Sequence, residues 1–192
     1  MRTPHASEKL HSSYFEALGR LLVGFQALEE AVTYGLMQLT RADISDDVDI
    51  QYFLAINELP FKARVKLLRN FLETTEPQHF LWHGSPAEER RKESVPDLLR
   101  QMLVFAKDCV AHEEQRNQFI HSVWEPASED VQQDAKRFKI RLQEKKTLVV
   151  HEQITVQAVL DLVERMQSTR NGLSNGGWLL ASFLAEKRAH AP

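Results

Sequence analysis

Arg116, Asn117 and His121 lie close together in the segment Ala-His-Glu-Glu-Gln-Arg-Asn-Gln-Phe-Ile-His-Ser-Val-Trp, residues 111–124. An imidazole moves protons at physiological pH, and a guanidinium holds a phosphate through its planar fork. With a neutral amide beside them, they form a minimal set for cleaving RNA without a metal ion. The chemistry is transesterification. A ribose 2′-hydroxyl attacks the neighbouring phosphorus, a base takes its proton, and an acid protonates the departing 5′-oxygen. Each proton-transfer partner contributes about 10²–10⁴ in rate. Arg116 suits the charge growing on the phosphoryl oxygens. Asn117 suits orientation of the imidazole or of a phosphate oxygen. One such histidine per chain supplies one proton-transfer group, so a two-fold homodimer that brings His121 twice completes the set.

Spacing alone carries little weight. An Arg followed by a His after four to six intervening residues is expected roughly 1.8 times by chance in a chain of this composition, and it occurs once. Context adds more. Asn117 and His121 are four residues apart and share a face on a continued helix. Phe119 and Ile120 can anchor the neighbouring face, and the helix is expected to stop just after His121, with the imidazole at a rim. A second reading uses the same residues: Arg116 pairs with Glu113 or His112, and His121 serves as a cation on the helix-terminal carbonyls.

The elements that must hold these residues are mainly helical. Phe15, Leu18, Leu21, Leu22, Phe25, Leu28, Val32, Leu36 and Leu39 recur at steps of three and four, predicting one long first helix. Gly19, Gly24 and Gly35 in that stretch each weaken a helix by about 1 kcal/mol, which points to close approach by a neighbour. Asp46, Asp47 and Asp49 suit the start of the next helix. Phe61 to Leu72 is amphipathic, with Phe61, Val65, Leu68 and Leu72 on the apolar side. Residues 73–94 read as a long mobile connection, within which Arg90, Arg91 and Lys92 read as solvated. Val95 to His121 is helical, with Pro96 at its first turn. Residues 122–153 change period and read as a β-hairpin insertion that turns at Gln143 to Lys146. Ile154 to Met166 is helical again, and Asn171 to Gly177 is expected to kink or break that last helix.

At 192 residues and 43% hydrophobic, residues 1–192 fit one domain with a real core. A net charge of -3 argues against a surface that binds nucleic acid everywhere, while leaving room for a local basic groove. Cys109 is the single cysteine, so neither a disulfide framework nor a cysteine-based zinc ribbon can form. The polar start, Met1 to Leu10, lacks the apolar core of a secretory signal, and no apolar run reaches the roughly 18 residues of a membrane span. The expectation is a cytoplasmic chain that needs no cofactor and binds no metal. His79 and His83 have a four-residue spacing that two metal ligands can share, but no cysteine accompanies them.

Lys136, Arg137, Lys139, Arg141, Lys145 and Lys146 crowd the expected hairpin. They would hold an RNA backbone with little sequence preference, or else form a solvated hairpin whose charges protect an exposed edge.

Three features together resemble the HEPN superfamily. They are Leu28-Glu29 at the centre of a long first helix, the Phe-Lys-x-x-x-x-Leu-Leu pattern from Phe61 to Leu68, and Arg116-Asn117-x-x-x-His121-x-x-Trp124. The resemblance spans about Tyr14 to Leu184. It implies an all-α, four- to five-helix bundle, here with the hairpin inserted before the last helix. It also implies metal-independent endoribonuclease activity, with two subunits placing their motifs across one symmetric cleft. Carried over, Arg116 and His121 become the catalytic pair and Asn117 the polar helper. The implied role is a toxin or defence effector with RNA as substrate and an antitoxin or regulatory protein as partner. Glu29 is then either a support that hydrogen-bonds Arg116 or His121, or a solvent-facing acid. One departure is Val123, where relatives paired with nucleotidyltransferase antitoxins often carry a modifiable tyrosine. Many members of the superfamily lack activity, so the alternative is a non-catalytic module binding a partner protein or nucleic acid. A metal-dependent hydrolase finds no ligand cluster to support it.

Overall fold

The computed structural model describes residues 11–40, 47–81, 88–126, 134–143 and 146–189. They form α1 (Ser12–Thr40), α2 (Asp47–Glu58), α3 (Phe61–Thr74), a 3-10 turn (Pro77–Phe80) and α4 (Glu88–Ile120). Strands β1 (Val123–Pro126), β2 (Asp134–Gln143) and β3 (Lys146–Thr155) follow, and then α5 (Val156–Ala189). The protein is mainly helical and carries one small antiparallel sheet in the order β1-β2-β3. Length suggests one domain; the structure divides into two compact units, residues 1–25 with 112–165 and residues 26–111 with 166–192. The boundaries fall inside α1, α4 and α5, so each of these helices contributes to both.

In the first unit the apolar stripe of α1 is rotated from its expected place. Tyr14, Ala17, Leu21 and Phe25 are buried, whereas Phe15 is 61% exposed. The Tyr14 hydroxyl donates to the backbone carbonyl of Ile154, and its ring lies 5.8 Å from that of Trp124. A hydrogen-bonded phenol gains more from that position than Phe15 would, because the Ile154 carbonyl would otherwise lose a partner. The expected hairpin is present as β2 and β3, paired from Asp134↔Thr155 to Gln143↔Lys146, with a third strand, β1, added at Val123↔Phe138 to Pro126↔Ala135. Residues 144 and 145 of the expected turn lie outside the described residues. Strand β3 also runs further than expected. It ends at Thr155, whose hydroxyl accepts the backbone N–H of Ala158 at 3.1 Å and caps α5.

Every secondary-structure element described in the second unit is a helix. Its core includes Leu28, Val32, Leu68, Phe80, Met102, Ala106, Cys109, Met166 and Leu180. Within the connection expected over 73–94, α3 reaches Thr74, the 3-10 turn follows and α4 begins at Glu88, while residues 82–87 lie outside the described residues. Arg91 supplies the reason. Its guanidinium stacks 4.7 Å over Phe183 and pairs with Glu186, which buries a side chain expected to be solvated. Pro96 therefore lies inside α4 instead of in its first turn. A proline there removes a helical hydrogen bond and costs about 3 kcal/mol, so the anchored turn before it must hold the helix together.

The expected break at Asn171–Gly177 is absent, and α5 runs unbroken from Val156 to Ala189. Its glycines serve packing. A Cβ on Gly172 would come within 2.3 Å of the Phe105 ring, and one on Gly176 within 2.3 Å of Met102 Sδ. Of the α1 glycines, Gly35 meets the close approach expected there, since a Cβ on Gly177 of α5 would lie 3.7 Å from the Gly35 Cα, whereas a Cβ on Gly19 would meet nothing within 4 Å and one on Gly24 only Val163 at 3.6 Å. Gly172→Ala is expected to destabilise the protein by about 1–3 kcal/mol through overpacking. Gly19→Ala is expected to stabilise it by about 0.5–1 kcal/mol through helix propensity. Urea titrations of the two variants check this, and shifts of the same sign would contradict the packing role.

Candidate functional site

Helix α4 ends at Ile120, and His121 occupies the turn that follows. Its backbone N–H still donates to the carbonyl of Asn117 at 3.1 Å, the last bond of helical form. The next two carbonyls are taken by side chains from downstream. Ser122 Oγ donates to the carbonyl of Gln118, and Trp124 Nε1 donates to that of Phe119 at 2.9 Å. A helix end leaves such acceptors without intrahelical partners, and here three of them are satisfied without the His121 ring. The imidazole is exposed and, among the described residues, makes no hydrogen bond or ion pair.

Aromatic packing fixes the direction in which the chain leaves the helix. The Trp124 indole stacks on Phe119 with centroids 6.2 Å apart and planes at 19°, and it also meets Tyr14 of α1. Trp124 pairs in register with Arg137 of β2, and the Arg137 guanidinium lies 5.4 Å over Phe119. Stacks of this kind hold a loop rigidly at low cost in side-chain entropy, because aromatic rings have few torsions to lose.

Arg116 is half-buried, one turn before His121. Its Nη1 donates to Asn117 Oδ1 at 2.8 Å, and its guanidinium lies 4.8 Å over the ring of Phe25. Its Nε is buried without a hydrogen-bond partner. Neither Glu113 nor His112 is its partner among the described residues, which corrects the ion-pair reading. Asn117 thus orients the guanidinium, a role different from the imidazole or phosphate contact expected of it. Phe25 was legible only as one position of an apolar stripe; nothing in the sequence marked it as the platform for a cation.

Three other arginines are buried, and each is matched by a carboxylate. Arg64 donates to Glu29 at 3.1 Å and to Thr33 Oγ1 at 2.8 Å, Arg91 pairs with Glu186, and Arg137 pairs with Glu152. Arg116 differs: its hydrogen-bond partner is a neutral amide, and it makes no ion pair within 4 Å among the described residues.

Other expected site residues fare differently. Glu29 pairs with Arg64 at 3.1 Å within the second unit, so it is not a simple solvent-facing acid. Arg137 is 6% exposed and serves as part of the fold, which removes it from the expected RNA-binding set. Lys136 is exposed. Lys139, Arg141 and Lys146 are placed by strand register alone, opposite Val150, Leu148 and Gln143, and Lys145 lies outside the described residues. His79 is exposed on the 3-10 turn, while His83 lies outside the described residues. Burial pushes the Cys109 thiol up to about 12, with the charge of Asp108 adding to the effect. No described helix is long and apolar enough to cross a membrane. No protein-family profile, curated protein or solved structure matches this chain.

Two tests follow from these environments. Arg137→Ala is expected to cost about 1–3 kcal/mol, since it removes a buried ion pair and a cation–π contact, whereas Lys136→Ala leaves the melting temperature in place. Equal melting temperatures for both variants would return Arg137 to the surface. Cys109 should resist a thiol reagent at pH 8 until the protein unfolds. Because the folded thiol titrates above the unfolded one, its contribution to stability is complete below about pH 9 and is lost as pH rises towards 12. Rapid labelling of native protein at pH 8 would refute this placement.

Proposed function

We propose that this chain is a HEPN-type, metal-independent endoribonuclease acting as a homodimer, in the role of a toxin or defence effector. The observation that carries the reading is the state of Arg116. It makes no close ion pair among the described residues, and Asn117 and Phe25 hold it one turn from an exposed imidazole. A preorganised cation of this kind stabilises charge that develops in a transition state, because it does not have to be pulled away from a carboxylate first. An imidazole that the helix end does not require is available to move protons.

In the proposed reaction a neutral His121 removes the proton of the 2′-hydroxyl as that oxygen attacks phosphorus. A protonated His121 from the second copy gives its proton to the leaving 5′-oxygen. Arg116 holds the non-bridging oxygens as their negative charge grows. The P–O5′ bond breaks, and the products are a 2′,3′-cyclic phosphate and a free 5′-hydroxyl. The two imidazoles end with their protonation states exchanged, and solvent resets them.

The test is RNA cleavage in excess EDTA, with analysis of the product ends. Wild type should leave 2′,3′-cyclic phosphates. His121→Ala should lose at least about 10² in rate, and Arg116→Ala about 10²–10³. Equal cleavage by wild type and a folded His121→Ala variant would defeat the proposal.

The second reading is a non-catalytic module that binds a partner protein or nucleic acid. The observation in its favour is the contact of Arg116 with Phe25, which gives the guanidinium a packing role independent of any substrate. On that reading neither wild type nor variant cleaves RNA, and His121→Ala changes binding or stability alone.

A further inference from the structure

Helix α3 carries four cations, Lys62, Arg64, Lys66 and Arg69, against one carboxylate, Glu73. Arg64 turns inward to Glu29 and Thr33. The other three line one groove of about 340 Å³ together with Val65 and Asn70 of α3 and Val110 of α4. No carboxylate is among its lining residues. Positions 62, 66 and 69 follow the i, i+4, i+7 row of a helix, so the three cations rise along one face at intervals of about 6 and 4.5 Å. Lys66 has no ion-pair partner among the described residues. Arg69 pairs with Glu73 at 3.1 Å, but both side chains are nearly half exposed, and a pair so open to water yields to an incoming anion.

We propose that this groove binds the phosphodiester backbone of a single strand of RNA, through Lys66 and Arg69. The inference rests on RNA being the substrate, and it gives the second unit a strand-holding surface. A row of cations contacts phosphates without reading bases, while Asn70 can donate to phosphate or sugar oxygens and the two valines can meet a ribose. The lining contains no aromatic residue and no large apolar anchor. A protein segment would lack the buried hot spots that a specific protein interface depends on. The expected basic hairpin is a poorer candidate, since Arg137 is committed to Glu152 and Phe119.

The experiment is fluorescence anisotropy with a labelled, fully 2′-O-methylated RNA oligonucleotide. Lacking the free hydroxyl, it cannot be cleaved by transesterification, so binding is read apart from catalysis. Three full-length proteins are compared: wild type, Lys66→Ala/Arg69→Ala, and the control Arg20→Ala/Arg100→Ala, which removes the same charge from other exposed positions. Circular dichroism establishes that each is folded. For single strands the slope of log affinity against log salt is about 0.7 per phosphate neutralised. The groove variant should therefore lose about 1.4 in slope and about tenfold in affinity at low salt, with the control unchanged. The proposal is overturned by equal losses in both variants, by no binding in wild type, or by binding of polyglutamate in place of the RNA. Binding that depends on Lys66 and Arg69, in a protein that fails to cleave unmodified RNA, supports the groove and sinks the ribonuclease reading. Cleavage with no change of slope does the reverse.

Discussion

A guanidinium taken out of water must be given back both a hydrogen-bond partner and a counter-charge, and this constraint organises much of the described structure. Arg64, Arg91 and Arg137 are each less than one-tenth exposed. Each lies over an aromatic ring, respectively Phe61, Phe183 and Phe119, and each is bound to a carboxylate. A buried arginine left without its carboxylate would be strongly destabilising, because the uncompensated charge stays in a low-dielectric place. These contacts also set local geometry. Arg64 joins α3 to α1 through Glu29 and Thr33, Arg91 holds the turn of α4 that precedes Pro96, and Arg137 ties β2 to β3 through Glu152.

Arg116 obeys half of the same rule. It has the aromatic platform, Phe25, and a hydrogen-bond acceptor, Asn117, but the acceptor is neutral. Its partial exposure makes that tolerable, since water can still screen the charge. The result is a cation with fixed orientation and residual demand for an anion. The helix end beside it is finished by Ser122 and Trp124, which take carbonyls that a terminal histidine could otherwise serve. The two residues thus stand apart from the other described arginines and from the bonds that finish the helix.

Much of this was legible in the sequence where one residue type carried one physical meaning. The long first helix, the amphipathic α3, the end of α4 at His121 and the β insertion before the last helix all follow from period and turn chemistry. The failures are places where two meanings compete. Asn171 to Gly177 has the composition of a break, yet its glycines are required by Phe105 and Met102, whose side chains occupy the space a Cβ would fill. Phe15 outranks Tyr14 in hydrophobicity, yet the hydroxyl of Tyr14 meets a carbonyl that apolar packing would leave unsatisfied. Arg91 and Arg137 read as surface charge because their partners Glu186 and Glu152 are distant along the chain. A local pattern cannot disclose an ion pair formed by folding.

Net charge misleads for the same reason. A chain at -3 would be expected to repel a polyanion, but charges more than a Debye length apart, about 8 Å at physiological ionic strength, are largely screened from one another. A phosphate placed in the groove of α3, as proposed, would therefore respond chiefly to the cations that line it, and acidic residues far from it would contribute little. The turning of Arg64 sharpens this. By taking up Glu29 it uses the one inward cation of α3 to neutralise a carboxylate, while the three outward cations remain concentrated along one row. Folding thus sorts the charges of a single helix into a structural pair on one side and a basic surface on the other.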